Sequence, residues 1–231
     1  VASMRIVDRH REAQAVLDRA EEIATALGET RELSRIHYHR GSIFFPTGNI
    51  DGCLEHHERA RKLARDAGSP EDEARALSGL GDAYFLRGRV LTAEKHFDQC
   101  IGLCRHNGFP AIEGVNLSMR GHMRLYLNRL PEALEDCEAA VEAARETGNR
   151  RTEMVARGSC LGKVLYEMAD MDRAEAEFRR ALDLARELGS IRYIPLYLAY
   201  LAKTRFFLGD RKAAMDLADE AVTINRDTGI T

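Results

Sequence analysis

The sequence predicts an all-α protein built as a solenoid of helix pairs, and three observations carry that prediction. Ala, Leu, Glu and Arg dominate the composition, Trp is absent and only 5 of 231 residues are Pro, a mixture that favours helix. Gly28, Gly68, Gly108, Gly148, Gly189 and Gly229 are spaced 40, 40, 40, 41 and 40 residues apart, and self-similarity at a fixed period marks a repeat architecture. Midway between them runs a second set of turn residues, Gly48, Gly88, Asn128, Ala169 and Gly209. Each period therefore holds two helices.

Taken in order, an unpaired helix over about 8–27 comes first. Five pairs follow, with first helices near 31–46, 71–87, 111–127, 151–168 and 191–208. Their second helices fall near 51–67, 91–107, 131–147, 172–188 and 212–228. One array thus occupies residues 1–231, with a half repeat at 8–28 and full repeats at 31–68, 71–108, 111–148, 151–189 and 191–229. Stretches such as "ALEDCEAAVEAARETG" carry apolar residues three and four apart, the helical spacing, and close on a glycine suited to the left-handed residue past a helix end. "SPED" from Ser69 offers a hydroxyl cap, Pro at the first helical position and acids in the first turn. Pro131 suits the same first position, Pro46 should end its helix early, and Pro195 should delay or bend the start of its own.

Small residues sit mid-helix at Gly41, Gly81, Gly121, Gly162 and Ala202, where each glycine costs roughly 1 kcal/mol relative to Ala. The expected return is close approach to the partner helix at Cys53, Ala93, Ala133, Ala174 and Ala214. A second small row follows at Ala60, Cys100, Ala140, Ala181 and Ala221, with Leu17, Phe97, Phe178 and Leu182 filling the remaining space.

A net charge of −3 gives no electrostatic footprint for nucleic acid. The longest apolar run, Ile194 to Ala202, is too short to span a bilayer. Five cysteines without framework spacing are expected as reduced thiols in a cytoplasmic protein. The formal glycosylation sequon at Asn116 to Ser118 falls in a helix interior.

No enzymatic activity, cofactor or metal is expected. Gly162-Lys163 is followed by Val164 inside a helix, so it is no phosphate loop, and "GLGDAY" from Gly79 lacks the third glycine of a dinucleotide fingerprint. His57-Glu58 lacks a second histidine at zinc-protease spacing, and no G-x-S-x-G occurs. His96, Cys100 and Cys104 share one helix face, but three ligands spread over about 12 Å of straight helix do not converge on one ion. They read as packing.

The recurring pattern is glycine, an aromatic three on (Phe44, Tyr84), a turn glycine seven on and small residues twelve and nineteen on. It resembles the tetratricopeptide repeat over essentially the whole chain. The period exceeds that family's usual one of about 34 residues, so both helices should be longer by part of a turn. Such long repeats resemble the C-terminal arrays of bacterial multidomain signalling proteins, namely ATPase regulators of the maltose-activator type and arrays linked to adenylate or guanylate cyclases. "GDAYFLRGRVLTAEKHF" is especially similar to the cyclase-linked ones.

The resemblance implies a right-handed α-α superhelix whose first helices wall a concave groove. Carried onto this chain, one groove row is Ser42, Asp82, His122, Lys163 and Lys203, which changes chemical type at each step. A second is Tyr38, Ser78, Ser118, Ser159 and Ala199, and a third is Phe45, Phe85, Leu125, Tyr166 and Phe206. Arg35 and Arg75 stand near the first two helix starts, and Tyr126 follows Leu125. The third row either contacts ligand or seals neighbouring helices. Arg40, Arg120, Arg124 and Arg205, at positions the repeat usually keeps apolar, either form local ion pairs or read a peptide carboxylate.

The implied function is a protein- or peptide-binding module, the regulatory or interaction domain of a larger bacterial signalling protein, holding a peptide segment or neighbouring domain in its groove. The alternative is an assembly scaffold acting through its ends or convex face. The first helix lacks a first-type partner and the last keeps small and apolar positions enough to pack on both sides, so a symmetric homodimer through the repeat ends is expected.

Overall fold

Two left-handed residues per repeat turn the chain back on itself. Gly28, Gly68, Gly108, Gly148 and Gly189 have φ between 61° and 74°, and the intervening Gly48, Gly88, Asn128, Ala169 and Gly209 have φ between 57° and 87°. A side chain disfavours this region, so glycine is the default; Asn128 is of a type that enters it more readily than most, and Ala169 does so at about 1 kcal/mol. Each turn is closed by the same bond, from the amide just past the left-handed residue to the carbonyl five residues back. Examples are Ser69 N to Ala64 O at 2.9 Å, Arg89 N to Tyr84 O at 2.9 Å and Asp170 N to Leu165 O at 2.9 Å.

The computed structural model describes residues 10–45 and 47–228. Its helices are α1 (His10–Leu27), α2 (Thr30–Phe44), α3 (Ile50–Asp66), α4 (Pro70–Leu86), α5 (Val90–Asn107), α6 (Pro110–Tyr126) and α7 (Leu130–Glu146). Then come α8 (Arg150–Val155), a π-helical turn (Ala156–Leu161) and α9 (Gly162–Glu167), followed by α10 (Met171–Glu187), α11 (Ile194–Phe207) and α12 (Arg211–Thr228). Among the described residues there is no strand. Residues 8 and 9, Pro46 and Gly229, on which expectations above fall, lie outside the described residues. No helix among the described residues is long and apolar enough to cross a membrane.

Prolines act as expected inside this frame. Pro70, Pro131 and Pro195 sit in the first turn of their helices, and α11 starts only at Ile194. Ser69 departs from expectation: its hydroxyl donates to Asp72 at 2.7 Å instead of capping a helix amide. Asn49, Asn149, Asp170 and Asp210 do cap, each side chain accepting from the amide three residues on.

The chain divides into two compact units, Val1–Asn116 and Leu117–Thr231, the division falling within α6. In the first unit, Ala13, Leu17 and Ala24 of α1 pack with Ile36 and Ile43 of α2. Further along, Ala74 and Leu77 of α4 pack with Cys100 and Cys104 of α5. The small rows are buried in both units as anticipated. The reason for the mid-helix glycines, however, differs from the expected nesting of small on small.

A Cβ on Gly81 would lie 2.4 Å from the ring of Phe97, one on Gly41 2.6 Å from His57, and one on Gly162 2.7 Å from Phe178. Each glycine clears space for a ring sixteen residues on, from the other helix of its hairpin. Backbone approach is the rule only at Gly121, where Cys137 replaces the ring and a Cβ would meet Cys137 Sγ at 2.6 Å and the Ala133 carbonyl at 3.2 Å. In the last hairpin the exchange runs the other way, with Ala202 in place of glycine and Ala218 in place of the ring.

The single 41-residue spacing, from Gly148 to Gly189, contains the π-helical turn Ala156–Leu161. Absorbing one extra residue in a helix widens one turn, and the widened turn receives Tyr197. A Cβ on Gly158 would lie 2.3 Å from the Tyr197 ring, whose hydroxyl donates to the Met154 carbonyl at 3.2 Å and lies 3.3 Å from Ser159 Oγ. The expectation of reduced thiols fails in this unit. Cys160, on the same turn, is joined to Cys137 of α7 by a disulfide with a Cα–Cα distance of 5.9 Å, while Cys53, Cys100 and Cys104 are free and buried. Helical register brings the bonded pair together; their separation of 23 residues carries no sequence signature.

Gly81→Leu should destabilise the protein by about 2 kcal/mol or more, the range for forced insertions into a packed core. Adding Phe97→Ala should recover part of that loss, because it empties the contested space. At Gly88, in a left-handed turn, Asn should be tolerated far better than Val. Chemical denaturation of the three variants beside the parent measures all of this.

Candidate partner-binding site

In the first unit, most candidate side chains are already engaged. Arg35 reaches Asp72 at 3.2 Å and Glu32 at 2.9 Å, and Arg75 reaches Glu71 at 2.9 Å. Ser42 is buried with its hydroxyl donating to the Tyr38 carbonyl, and Tyr38 lies against the rings of His39 and His57. Ser78 and Asp82 are half-buried, and Phe45 is exposed. Nothing converges here on a common pocket.

The same unit holds a histidine-rich layer. His37 Nδ1 lies 2.9 Å from His56 Nδ1, and His56 stacks on Phe44. His37 Nε2 is 3.4 Å from Glu21, whose other oxygen pairs with Arg40; Arg40 also bonds Asp18 at 2.6 Å. His96 stacks on Tyr84 with centroids 5.1 Å apart, and Cys100 donates to the Ala74 carbonyl at 3.1 Å. The His96–Cys100–Cys104 face is thus taken up by packing, and no metal-capable group of three occurs among the described residues.

Arginines at the usually apolar positions form internal ion pairs. Arg120 grips Asp136 with two bonds of 2.8 and 2.6 Å, and Arg124 reaches the same carboxylate at 2.8 Å. Arg205 pairs with Glu175 at 2.5 Å. Arg157, in the π-helical turn, pairs with Glu153 at 2.8 Å and Glu177 at 2.6 Å. These pairs brace first helices against second helices.

The second unit brings several candidates together. His122, Leu125, Tyr126, Lys163 and Glu167 line a pocket of about 380 Å³ with Asn128, Leu130 and Tyr200. His122 stacks on Tyr126 with centroids 5.0 Å apart. The ammonium groups of Lys163 and Lys203 lie 5.2 and 5.1 Å from the centre of the Tyr200 ring, within cation–π range. Tyr166 meets Tyr200 and Phe207 edge to face. Ser118 and Ser159 fall elsewhere: Ser118 is buried and Ser159 faces Tyr197. Phe206 is 59% exposed.

Burial, reinforced by the second lysine, lowers the pKa of Lys163. Burial and then the charge of Lys163 hold His122 down to about 4, so its imidazole is neutral near pH 7. Sequence reasoning singled out the lysines and missed Tyr200, the ring on which they meet. Its one signal was position, three residues before Lys203 and so on the same helix face.

Burial also holds His37 down to about 4, with Arg59 adding to the effect and Glu21 opposing it; His56 and His96 are lowered by burial too. A histidine with a depressed folded-state pKa is protonated first in the unfolded chain. Its stabilisation is complete above about pH 6.5 and is lost as pH falls towards the folded value. Between pH 7 and 5, thermal stability should therefore fall, by about 2 kcal/mol from His37 alone. The His37→Gln, His122→Gln double variant should show a flatter profile in a melting series across that interval.

A family model described as the MalT-like TPR region matches residues 34–231. No curated protein sequence matches the chain significantly. Among solved structures, BtubC (BKLC) from P. vanneervenii superposes with a TM-score of 0.80 at 16% identity, covering 96% of this chain and 91% of its own. A signal-transduction ATPase with numerous domains and a tetratricopeptide repeat sensor, from Pyrococcus horikoshii, gives 0.75 at 14% identity over 98% of this chain and 35% of its own. Aspartyl phosphate phosphatase F from Bacillus subtilis gives 0.71 at 13% identity over 91% of this chain and 55% of its own. At these identities the likeness is one of fold.

Proposed function

Because the chain belongs to the MalT-like TPR family, we propose that it is a protein- or peptide-binding module, with recognition rather than catalysis as its task. The observation that carries this reading is the pocket of the second unit, lined by Lys163, a neutral His122, Tyr126 and Tyr200, with Lys203 and Tyr166 against the Tyr200 ring. Such a mixture of charge and apolar surface suits a peptide segment, whose side chains fill the pocket while a polar group fixes its direction. The partner would be a peptide or a neighbouring domain of a larger bacterial signalling protein working in the cytoplasm. The tetratricopeptide repeat sensor of the Pyrococcus horikoshii ATPase supports a regulatory assignment by analogy of fold.

Replacing half-buried Lys163 and exposed Lys203 by Glu should weaken partner capture, with a melting curve of the double variant to check that the fold is retained. The test immobilises parent and double variant side by side and identifies retained proteins by mass spectrometry. A partner held equally by both would remove these lysines from the site.

A second reading, assembly through the repeat ends, draws on the last and first helices. Val222 of α12 is 45% exposed, although Ile101, Val141 and Leu182 at the same repeat position are buried. Met215 beside it, and Val16, Ile23 and Leu27 of α1, are exposed as well. Self-association should appear in sedimentation at micromolar concentration and weaken in a Met215→Glu, Val222→Glu variant. A parent that stays monomeric would retire this reading.

A further inference from the structure

We propose that the Cys137–Cys160 disulfide is a redox-sensitive latch: a dithiol opens it, and its opening loosens the junction between the third and fourth hairpins beside the pocket. The latch is independent of what the pocket binds.

Its place in the repeat comes first. His57, Phe97, Cys137 and Phe178 occupy one repeat position, and Gly79, Met119, Cys160 and Tyr200 occupy another on the first helix of the following hairpin. Within each unit, pairs drawn from these two positions fill the place where one hairpin meets the next. In the first unit the His57 ring fills it, and a Cβ on Gly79 would lie 2.4 Å from that ring. Where α10 meets α11, Phe178 stacks on Tyr200 with centroids 5.0 Å apart. Between α7 and the π-helical turn this pair supplies no ring, and two bonded sulfurs take its place.

The chemistry comes second. Exchange with a dithiol breaks the sulfur–sulfur bond, leaves Cys137 and Cys160 as thiols with one new proton each, and closes the dithiol into its own disulfide. Two electrons pass from the reductant to the protein. The freed sulfurs no longer hold each other, and each is far smaller than a ring. Gly121 beside them adds no side chain: a Cβ there would lie 2.6 Å from Cys137 Sγ and 3.2 Å from Cys160 Sγ. The reduced state nonetheless has a seat for one proton, because Cys160 Sγ lies 3.3 Å from the Ser118 carbonyl, to which a thiol can donate. Cys53 and Cys100 make bonds of this kind in the first unit, to the Gly41 and Ala74 carbonyls at 3.3 and 3.1 Å.

The core argues against a mere staple. Small domains take disulfides when their cores cannot hold them together. This chain of 231 residues closes the α3–α4 and α10–α11 junctions with packed side chains and keeps Cys53, Cys100 and Cys104 as buried thiols. Cys137 and Cys160 are 0% and 2% exposed, so a reductant reaches them only when the junction opens locally. Uncatalysed exchange then takes on the order of minutes to hours, which makes the latch a lasting setting of the array.

Its effect reaches the pocket along two helices. Ser118 lies one turn before His122 on α6, and Cys160 one turn before Lys163. A change of spacing where Cys160 meets Ser118 is therefore passed to two of the side chains that line the pocket.

The test uses the whole chain, air-oxidised or treated with dithiothreitol. Mass mapping after alkylation of the folded protein should find Cys137 and Cys160 bonded in the first sample and alkylated in the second. The bond should re-form when oxidised glutathione replaces the dithiol. On reduction, hydrogen exchange should quicken by about tenfold or more at residues 118–126 and 156–167, and stay unchanged in α4 and α5. The Cys137→Ser, Cys160→Ser variant should show the faster hydrogen exchange with and without dithiol. Cys137→Phe, Cys160→Gly, which restores a ring over glycine as at His57 and Gly79, should stay slow in both conditions. Two free thiols after air oxidation, a bond that yields only on global unfolding, hydrogen exchange unchanged by reduction, or an equal response to dithiol in the serine variant would overturn the proposal. Should the serine variant fail to fold, the dithiol comparison on the parent chain decides the matter alone.

Discussion

The ring-over-glycine contact inside three of the five hairpins is the interaction on which the rest of this structure depends. A bare backbone at Gly41, Gly81 and Gly162 admits His57, Phe97 and Phe178 to distances that any Cβ would forbid. The ring fixes both the separation and the rotation of the two helices, because it fits only where the side chain is missing. Helix propensity opposes glycine at these sites, so tertiary packing must outweigh it. The left-handed turns then have a simpler task. They return the chain at the right residue, and the ring decides how closely the second helix lies.

That division explains what could be read from the sequence. A residue with positive φ leaves a chemical mark, so Gly28, Gly68, Gly108, Gly148 and Gly189 announced the helix ends, and helix boundaries followed within a few residues. The small rows were equally visible, but their partner was misassigned. Gly81 and Ala93 look matched in size, whereas Gly81 answers to the much larger Phe97. Complementarity between a void and a ring is a relation across space, and one sequence shows only its two halves.

The same limit applies at the π-helical turn. The spacing of 41 announced one extra residue between Gly148 and Gly189, and the 21 residues from Gly148 to Ala169 put it in the first helix but not at which turn. Its position depends on Tyr197, which needs Gly158 beneath its ring and the Met154 carbonyl for its hydroxyl. Tyr197 belongs to the next repeat, so no local pattern encodes the match. The disulfide between Cys137 and Cys160 and the pairing of Arg120 and Arg124 with Asp136 were hidden for the same reason. The candidate pocket was half legible: the lysines stood out as a change of chemistry along one row, and Tyr200, which gathers them, did not.

The row itself has a structural cause. Ser42, Asp82, His122, Lys163 and Lys203 each immediately follow the mid-helix small residue. One residue along a helix is a rotation of about 100°, which turns this position away from the ring that its neighbour must accommodate. The constraint is therefore strict at Gly162 and relaxed at Lys163. Hairpin geometry holds the backbone of this row still, so its side chains are free to differ from repeat to repeat without disturbing the core. Where the side chain finds a local partner, as Ser42 does in the Tyr38 carbonyl, it adds to the framework. Where it lies over a ring beside another cation, as Lys163 does, it carries a charge that the hairpin packing does not require.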